Sequence, residues 1–289
     1  MSVETVEAFA ERATATMTDR DREGYFALFD LPCAVWGDQG VDLRLNLARL
    51  EEVWEGIAAQ LDLLDRPRHR YRIDAQRLLG ERLTVLRVLT WLDLSDGTRS
   101  DPTSELWILR ETDGRLGLIG LVNPMSMHVL DPRSRPPEPD LATAGPGGPA
   151  TAEAFLVAMH EMIRDKDIEA NERLISLPYL RFTDELTGMI RTRAERRAMA
   201  EAAHREIGPR AAATARTELL AERPYGRTLT CLRIRFHGVR PDGGDFDPRE
   251  ELWILRDAGK GLQVCGVVNP ATSKIMKTED HFDYGDDLQ

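Results

Sequence analysis

Polar side chains that recur at one fixed spacing are where chemistry could be built in this chain. Arg87 and Arg233, Glu105 and Glu251, Arg110 and Arg256, and Asn123 and Asn269 all obey the same offset, 233 − 87 = 146. An arginine in mid-strand can anchor an anionic ligand, which would give two similar pockets. It can equally close a cross-strand ion pair, or make one interface contact twice by pseudo-symmetry. Both readings are open at the level of sequence. In the second copy Cys231, Arg233, Arg235 and His237 alternate along one strand face where the first has Val85, Arg87, Leu89 and Trp91. That face either lines a wetter pocket or is exposed.

Other reactive constellations are excluded by spacing. His160-Glu161 has no second histidine four residues after the first, so the zinc-protease pattern is absent. There is no Cys-x-x-Cys, no Gly-x-Ser-x-Gly elbow, and Gly145-Pro146-Gly147-Gly148 has no Lys-Ser/Thr behind it. No metal and no cofactor is expected. The three cysteines, Cys33, Cys231 and Cys265, make a poor disulfide framework and fit free thiols in a reducing compartment, although Cys231 and Cys265 fall on segments that could neighbour each other.

The offset is a property of the whole chain. Glu105-Leu106-Trp107-Ile108-Leu109-Arg110 recurs letter for letter as Glu251-Leu252-Trp253-Ile254-Leu255-Arg256, and Leu31-Pro32, Ala8-Phe9 and Val122-Asn123-Pro124 recur at the same distance. A unit of this length is one small domain rather than a solenoid repeat. The expected organisation is a first domain over 1–130, a Pro/Gly-rich linker over 131–150, a second domain over 151–277 and an acidic tail over 278–289. The net charge of −11, from 49 acids and 38 bases, argues against nucleic acid as a partner. No apolar run reaches the roughly 18–20 residues of a membrane span, and Met1-Ser2-Val3-Glu4-Thr5 shows no secretory signal, so a cytoplasmic location without membrane contact is expected.

These residues need a scaffold, and the periodicity supplies one. Residues 3–17 place Val6, Phe9, Ala10, Ala13 and Met17 on one helical stripe. Thr18-Asp19-Arg20-Asp21 resembles a capping box opening a short helix through Phe29, and Leu31 to Trp36 reads as a strand. A third helix over 46–64 spaces Leu47, Leu50, Val53, Trp54, Ile57, Leu61 and Leu64 on one face. Four strands follow, Arg68–Leu79, Leu83–Leu94, Glu105–Arg110 and Leu116–Val122, with turns at Gly80-Glu81, Asp96-Gly97 and Asp113-Gly114. The second copy repeats this order: a helix from Ala152, a short helix from Asp167, a helix over 193–206 and strands to Val268. The class is α+β, with three helices on a curved antiparallel sheet in each copy. Residues 83–92 are apolar on both alternate faces, so each sheet needs cover on two sides, and the sheet of the other copy is the expected second cover.

Helices first, then a long meander ending in Glu-Leu-Trp-Ile-Leu-Arg, Asp-Gly and Leu-Gly-Leu-Ile, resembles the nuclear transport factor 2-like superfamily, closest to its SnoaL-like and ketosteroid-isomerase-like branches. The resemblance covers both copies. It implies two cones with apolar pockets, paired as an intrachain pseudo-dimer that is a monomer overall. It also implies a carboxylate, helped by Tyr or His, in the enzymatic members, and no such motif matches residue by residue. Tyr25, Trp36, Asp38, Arg87, Trp107 and Asn123 are the nearest candidates in the first copy, and Tyr179, Arg233, His237, Trp253 and Asn269 in the second. Trp36 and Trp107 also suit a core or a sheet interface, and Asp38 in Gly37-Asp38-Gln39-Gly40 suits a turn. The sequence reading is therefore binding of a small, mostly apolar or weakly anionic molecule in one or both cones. An isomerase, dehydratase or cyclase, and a protein-interaction scaffold, are the alternatives.

Overall fold

The computed structural model describes residues 3–124, 148–206, 216–238, 249–257 and 259–270. Residues 131–147 of the expected linker and the expected acidic tail lie outside them. The chain forms two compact units in tandem, each a six-stranded sheet with three helices.

In the first unit, α1 (Val6–Asp19) and α2 (Arg22–Phe26) lead into the hairpin β1 (Phe29–Gly37) and β2 (Gly40–Arg44). Helix α3 (Leu47–Leu63) and the strands β3 (Arg68–Leu78), β4 (Leu83–Asp93), β5 (Thr103–Thr112) and β6 (Arg115–Val122) follow. The second unit repeats the order as α4 (Ala152–Asp165), α5 (Ile168–Leu174), β7 (Ile175–Phe182), β8 (Thr187–Ile190), α6 (Arg193–Glu206), β9 (Arg216–Tyr225), β10 (Leu229–His237), β11 (Arg249–Asp257) and β12 (Leu262–Val268).

The helices start where side chains can satisfy the first backbone N–H groups. Thr5 accepts from the Ala8 N–H at 3.2 Å and Asn46 from Arg49 at 3.0 Å. At the head of α6 a reciprocal capping box forms: Glu195 N–H donates to Thr192 Oγ1, and Thr192 N–H donates to the Glu195 carboxylate. Asn46 and Thr192 are 146 apart, so α3 and α6 correspond residue by residue. The second helix is capped by Asp21, three residues beyond the predicted Thr18, because Asp21 Oδ1 reaches the Gly24 N–H at 2.9 Å. Thr18 Oγ1 accepts instead from the His69 N–H. Helix α2 accordingly stops at Phe26, and Phe29 opens β1.

The four-strand antiparallel meander that the sequence suggested forms as β3-β4-β5-β6, but each sheet is six-stranded and mixed. The orders are β2-β1-β6-β5-β4-β3 and β8-β7-β12-β11-β10-β9, in which β1 runs parallel to β6 and β7 parallel to β12. Strands β2 and β8 went unread because each is short and follows a tight turn. Asp38-Gln39 forms a two-residue link between the paired glycines Gly37 and Gly40, so the turn reading of Asp38 describes its place in the fold. At the other predicted hairpin, Asp113 and Gly114 both take positive φ, 53° and 82°, which is the primed turn that matches strand twist.

Strand alternation divides each sheet into an inner face, toward the unit's own helices, and an outer face. Leu86, Val88, Trp107 and Leu109 point inward and join Phe9, Leu50, Trp54, Ile57 and Leu61 in one buried cluster. Their equivalents Leu232, Ile234, Trp253 and Leu255 join Phe155, Leu156 and Met159 in the second unit. No helix among the described residues is long and apolar enough to cross a membrane.

Candidate functional site

The inner faces carry two polar centres each, and the first centre is built on the same Glu, Trp and Asn in both units, with a third donor, Thr90, in the first unit alone. Glu105 is buried on β5. Its carboxylate accepts from Trp107 Nε1 at 2.7 Å, from Asn123 Nδ2 at 2.8 Å and from Thr90 Oγ1 at 3.1 Å. Glu251 accepts from Trp253 Nε1 at 2.7 Å and from Asn269 Nδ2. The indoles are wedged edge-on against Phe9 (5.9 Å) and Phe155 (6.3 Å). Burial pushes both carboxyl groups above the ordinary carboxylate range, and their donors pull only partly the other way. This clamp ties β5 to the end of β6 and to β4, and β11 to the residue after β12. It places four predicted site residues, Trp107, Asn123, Trp253 and Asn269, around a glutamate that had been noticed only as a repeat-matched residue. The signal was the invariance of Glu-Leu-Trp and Asn at one offset.

The second centre differs between units. In the first unit Tyr25 is buried on α2, its ring 5.0 Å from both Trp54 and Phe29. Arg44, 2 % exposed, donates to the Tyr25 hydroxyl at 3.0 Å and to Asp42 at 3.4 Å, and lies 4.9 Å from the centre of the Phe29 ring. Arg49 holds the other Asp42 oxygen at 2.8 Å. Burial works against the Arg44 charge, but Tyr25, Cys33 and Asp42 together hold its pKa above the ordinary value. Cys33 beside them is pushed up to about 12 by burial. The first hollow is thus filled by aromatic rings and an internally neutralised arginine.

At the same repeat positions the second unit has different side chains: Tyr25 becomes Asn171, Cys33 Tyr179, Val35 Arg181, Asp42 Gly188, Arg44 Ile190, Leu50 Arg196, Trp54 Ala200 and Ile57 Ala203. Helix α6 contributes only Met199, partly buried, to the apolar cluster. Arg196, 5 % exposed, donates through Nη1 to the carbonyls of Ile175 (2.8 Å) and Glu172 (3.2 Å), while Nη2 lies 3.6 Å from the Glu172 carboxylate. Its pKa is lowered, chiefly by burial, the reverse of Arg44. Tyr179 is pushed up to about 12 by burial, with Arg181 acting downward and Glu251 upward, so these three side chains sense one another across the inner face. Three buried polar atoms here have no hydrogen-bond partner: Asn171 Oδ1, Arg181 Nε and Arg196 Nε.

The remaining candidates lie elsewhere. Arg87 pairs in register with Leu106 and Arg233 with Leu252, which puts both, with Arg235 and His237, on the outer faces. Arg87 meets Asp74 at 3.4 Å; Arg235 and His237 meet Glu218 at 3.1 and 3.7 Å. The polar strand face of the second copy therefore does not line its hollow. Trp36 is fully buried on the outer face, packed beside Ile108 and Gly120. Arg110, which the repeat marked, pairs with Asp30 at 3.2 Å. Cys231 and Cys265 are free and buried, on β10 and β12 with β11 between them. Among the described residues no group of three or more His, Cys, Asp or Glu could hold a metal ion. A cleft of about 440 Å³ beside the start of α1 and another of about 420 Å³ along α4 and α5 touch none of the candidates.

No protein-family model matches the chain, and no curated protein matches it. Solved structures similar to it each span about one unit. A protein of unknown function with a cystatin-like fold from Nostoc punctiforme is 19 % identical, covers 43 % of this chain and 94 % of its own, and gives a TM-score of 0.36. A putative calcium/calmodulin-dependent protein kinase type II association domain from Thiobacillus denitrificans is 13 % identical over 44 % of this chain and 99 % of its own, with a TM-score of 0.36. Aln2 from a Streptomyces species is 16 % identical over 43 % and 94 %, at 0.34.

Proposed function

We propose that the protein binds a small, mostly apolar and weakly anionic molecule in the hollow of its second unit, the first unit being a filled copy that serves as scaffold. The observation that carries this reading is the exchange at matched positions. Caps, strands and the glutamate clamp are kept, while Trp54, Ile57 and Tyr25 give way to Ala200, Ala203 and Asn171. Apolar walls with a few convergent polar groups are the general composition of a ligand site. Arg181, Arg196 and Tyr179 supply those groups.

The isomerase or dehydratase alternative would enlist Glu251, whose raised proton affinity suits a general base. Glu105 carries the same shift and the same Trp and Asn bonds inside the filled unit, which favours a structural role for both. The test is native mass spectrometry of protein purified gently from its host. A bound small molecule is expected on the wild type, and its loss on the Ala200→Trp/Ala203→Ile variant, which restores the first unit's filling. A folded variant that retains the ligand would refute the location.

A further inference from the structure

Each sheet ends in a long strand with no further strand beyond it among the described residues, β3 in the first unit and β9 in the second. Hydrogen bonding shows which residues of β3 face that open edge. The His69 N–H donates to Thr18 Oγ1 instead of to β4, and the Leu79 N–H donates back to the Leu83 carbonyl. Between them Asp74 is an extra residue, since Ile73 and Ala75 oppose the adjacent Val88 and Arg87. This bulge reverses the alternation. Tyr71 and Ile73 before it, and Gln76 and Leu78 after it, therefore turn their N–H and C=O groups to the open edge. Arg72 at 3.0 Å and Arg87 at 3.4 Å hold the Asp74 carboxylate at the bulge. Residues 74–78 are exposed, Leu78 at 62 %. At the position matching Leu78, β9 carries Pro224, which has no N–H to offer and blunts its edge. The first edge keeps its donor there and adds an exposed leucine.

We infer that the β3 edge is an interaction surface for a second copy of this chain, the two β3 strands pairing antiparallel. A two-fold axis through the bulge matches all four outward residues: Tyr71 meets the partner's Leu78, Ile73 meets the partner's Gln76, and the reverse holds. Each matched pair can exchange both of its backbone hydrogen bonds. The same register sets the exposed leucine beside an aromatic ring and brings the Glu81 turn beside the partner's Arg68, at both ends of the pairing. On the outer face Arg72 comes opposite the partner's Arg77, a like-charge contact that the Asp74 carboxylate on Arg72 offsets. An unrelated partner strand would require no such self-match, and this favours a second copy as the occupant.

Sedimentation velocity of the full chain between about 1 and 100 μM tests this. A concentration-dependent shift from one chain to two is expected, with amide hydrogen exchange at Gln76 and Leu78 slowing in step. Leu78→Pro copies the second unit's edge: it removes an outward N–H and the leucine while leaving the β3–β4 ladder its bonds. It is expected to weaken the dimer at least about tenfold. Gln76→Pro removes the neighbouring outward N–H and is expected to do the same, so the test survives if Leu78→Pro does not fold. A single-chain species over the whole concentration range overturns the proposal. A dimer whose strength neither proline changes overturns it too, because that dimer forms on another surface.

Discussion

Removing the glutamate from each clamp separates a structural role from a reactive one. Glu105→Leu strands three donors, on Trp107, Asn123 and Thr90, whereas Glu251→Leu strands two, on Trp253 and Asn269. An unsatisfied buried donor costs roughly 1–3 kcal/mol. The lower end applies, since the Thr90 hydroxyl can rotate away and each substitution relieves a desolvated charge. Summed on that basis, Glu105→Leu should lose about 3 kcal/mol and Glu251→Leu about 2 kcal/mol. Urea unfolding followed by circular dichroism and tryptophan fluorescence reads both, the indoles of Trp107 and Trp253 reporting on their own clamps. A loss below about 1 kcal/mol at Glu105 would sink the clamp, because a carboxylate that can be deleted so cheaply is not holding three strands together.

Further outcomes follow from the same geometry. Both clamp carboxyls have folded-state pKa values raised above the ordinary 4.5, so their contribution is fully present below that value and is lost as pH rises through the folded pKa; in a pH series of melting temperatures, wild type should lose ground to a Glu105→Gln/Glu251→Gln double variant as pH rises above 4.5, and parallel curves would contradict this. Trp54→Ala opens the filled hollow and should cost about 3–5 kcal/mol by urea titration; a cost under about 1 kcal/mol would mean the first unit is not filled as described. All three thiols are buried, and Cys33 is pushed up to about 12, so none should react with a disulfide reagent at pH 8 on a timescale of minutes until denaturant is added; fast labelling in buffer would contradict their placement.

Much of the fold was legible because period and offset carried it. The stripe Leu50, Val53, Trp54, Ile57 and Leu61 and the Asp113-Gly114 turn each have a local physical cause. Strand β2 escaped because Gly40–Arg44 holds one buried residue, Arg44, where a half-buried strand would show alternating hydrophobics. The parallel β1–β6 pairing is non-local and leaves no trace in either segment. For the site, repetition marked arginines that lie on the outer sheet faces. Arg87 and Arg233 were conspicuous by being retained, yet strand parity turns both outward. The residues that distinguish the second inner face, Asn171, Arg181, Gly188, Arg196 and Ala200, are conspicuous only by replacement, and reading them required knowing that Arg44 joins Asp42 to the Tyr25 hydroxyl while Trp54 packs on the Tyr25 ring.

The number of ligand molecules bound by one chain tests the division of labour most directly. Native mass spectrometry of the wild type should show a single bound molecule per chain. On the proposed reading only the second unit is open to a ligand, so Ala200→Trp/Ala203→Ile should bring the number to zero and Trp54→Ala should not lower it. Two molecules per chain, or one that survives the refilling of the second hollow, would contradict the account.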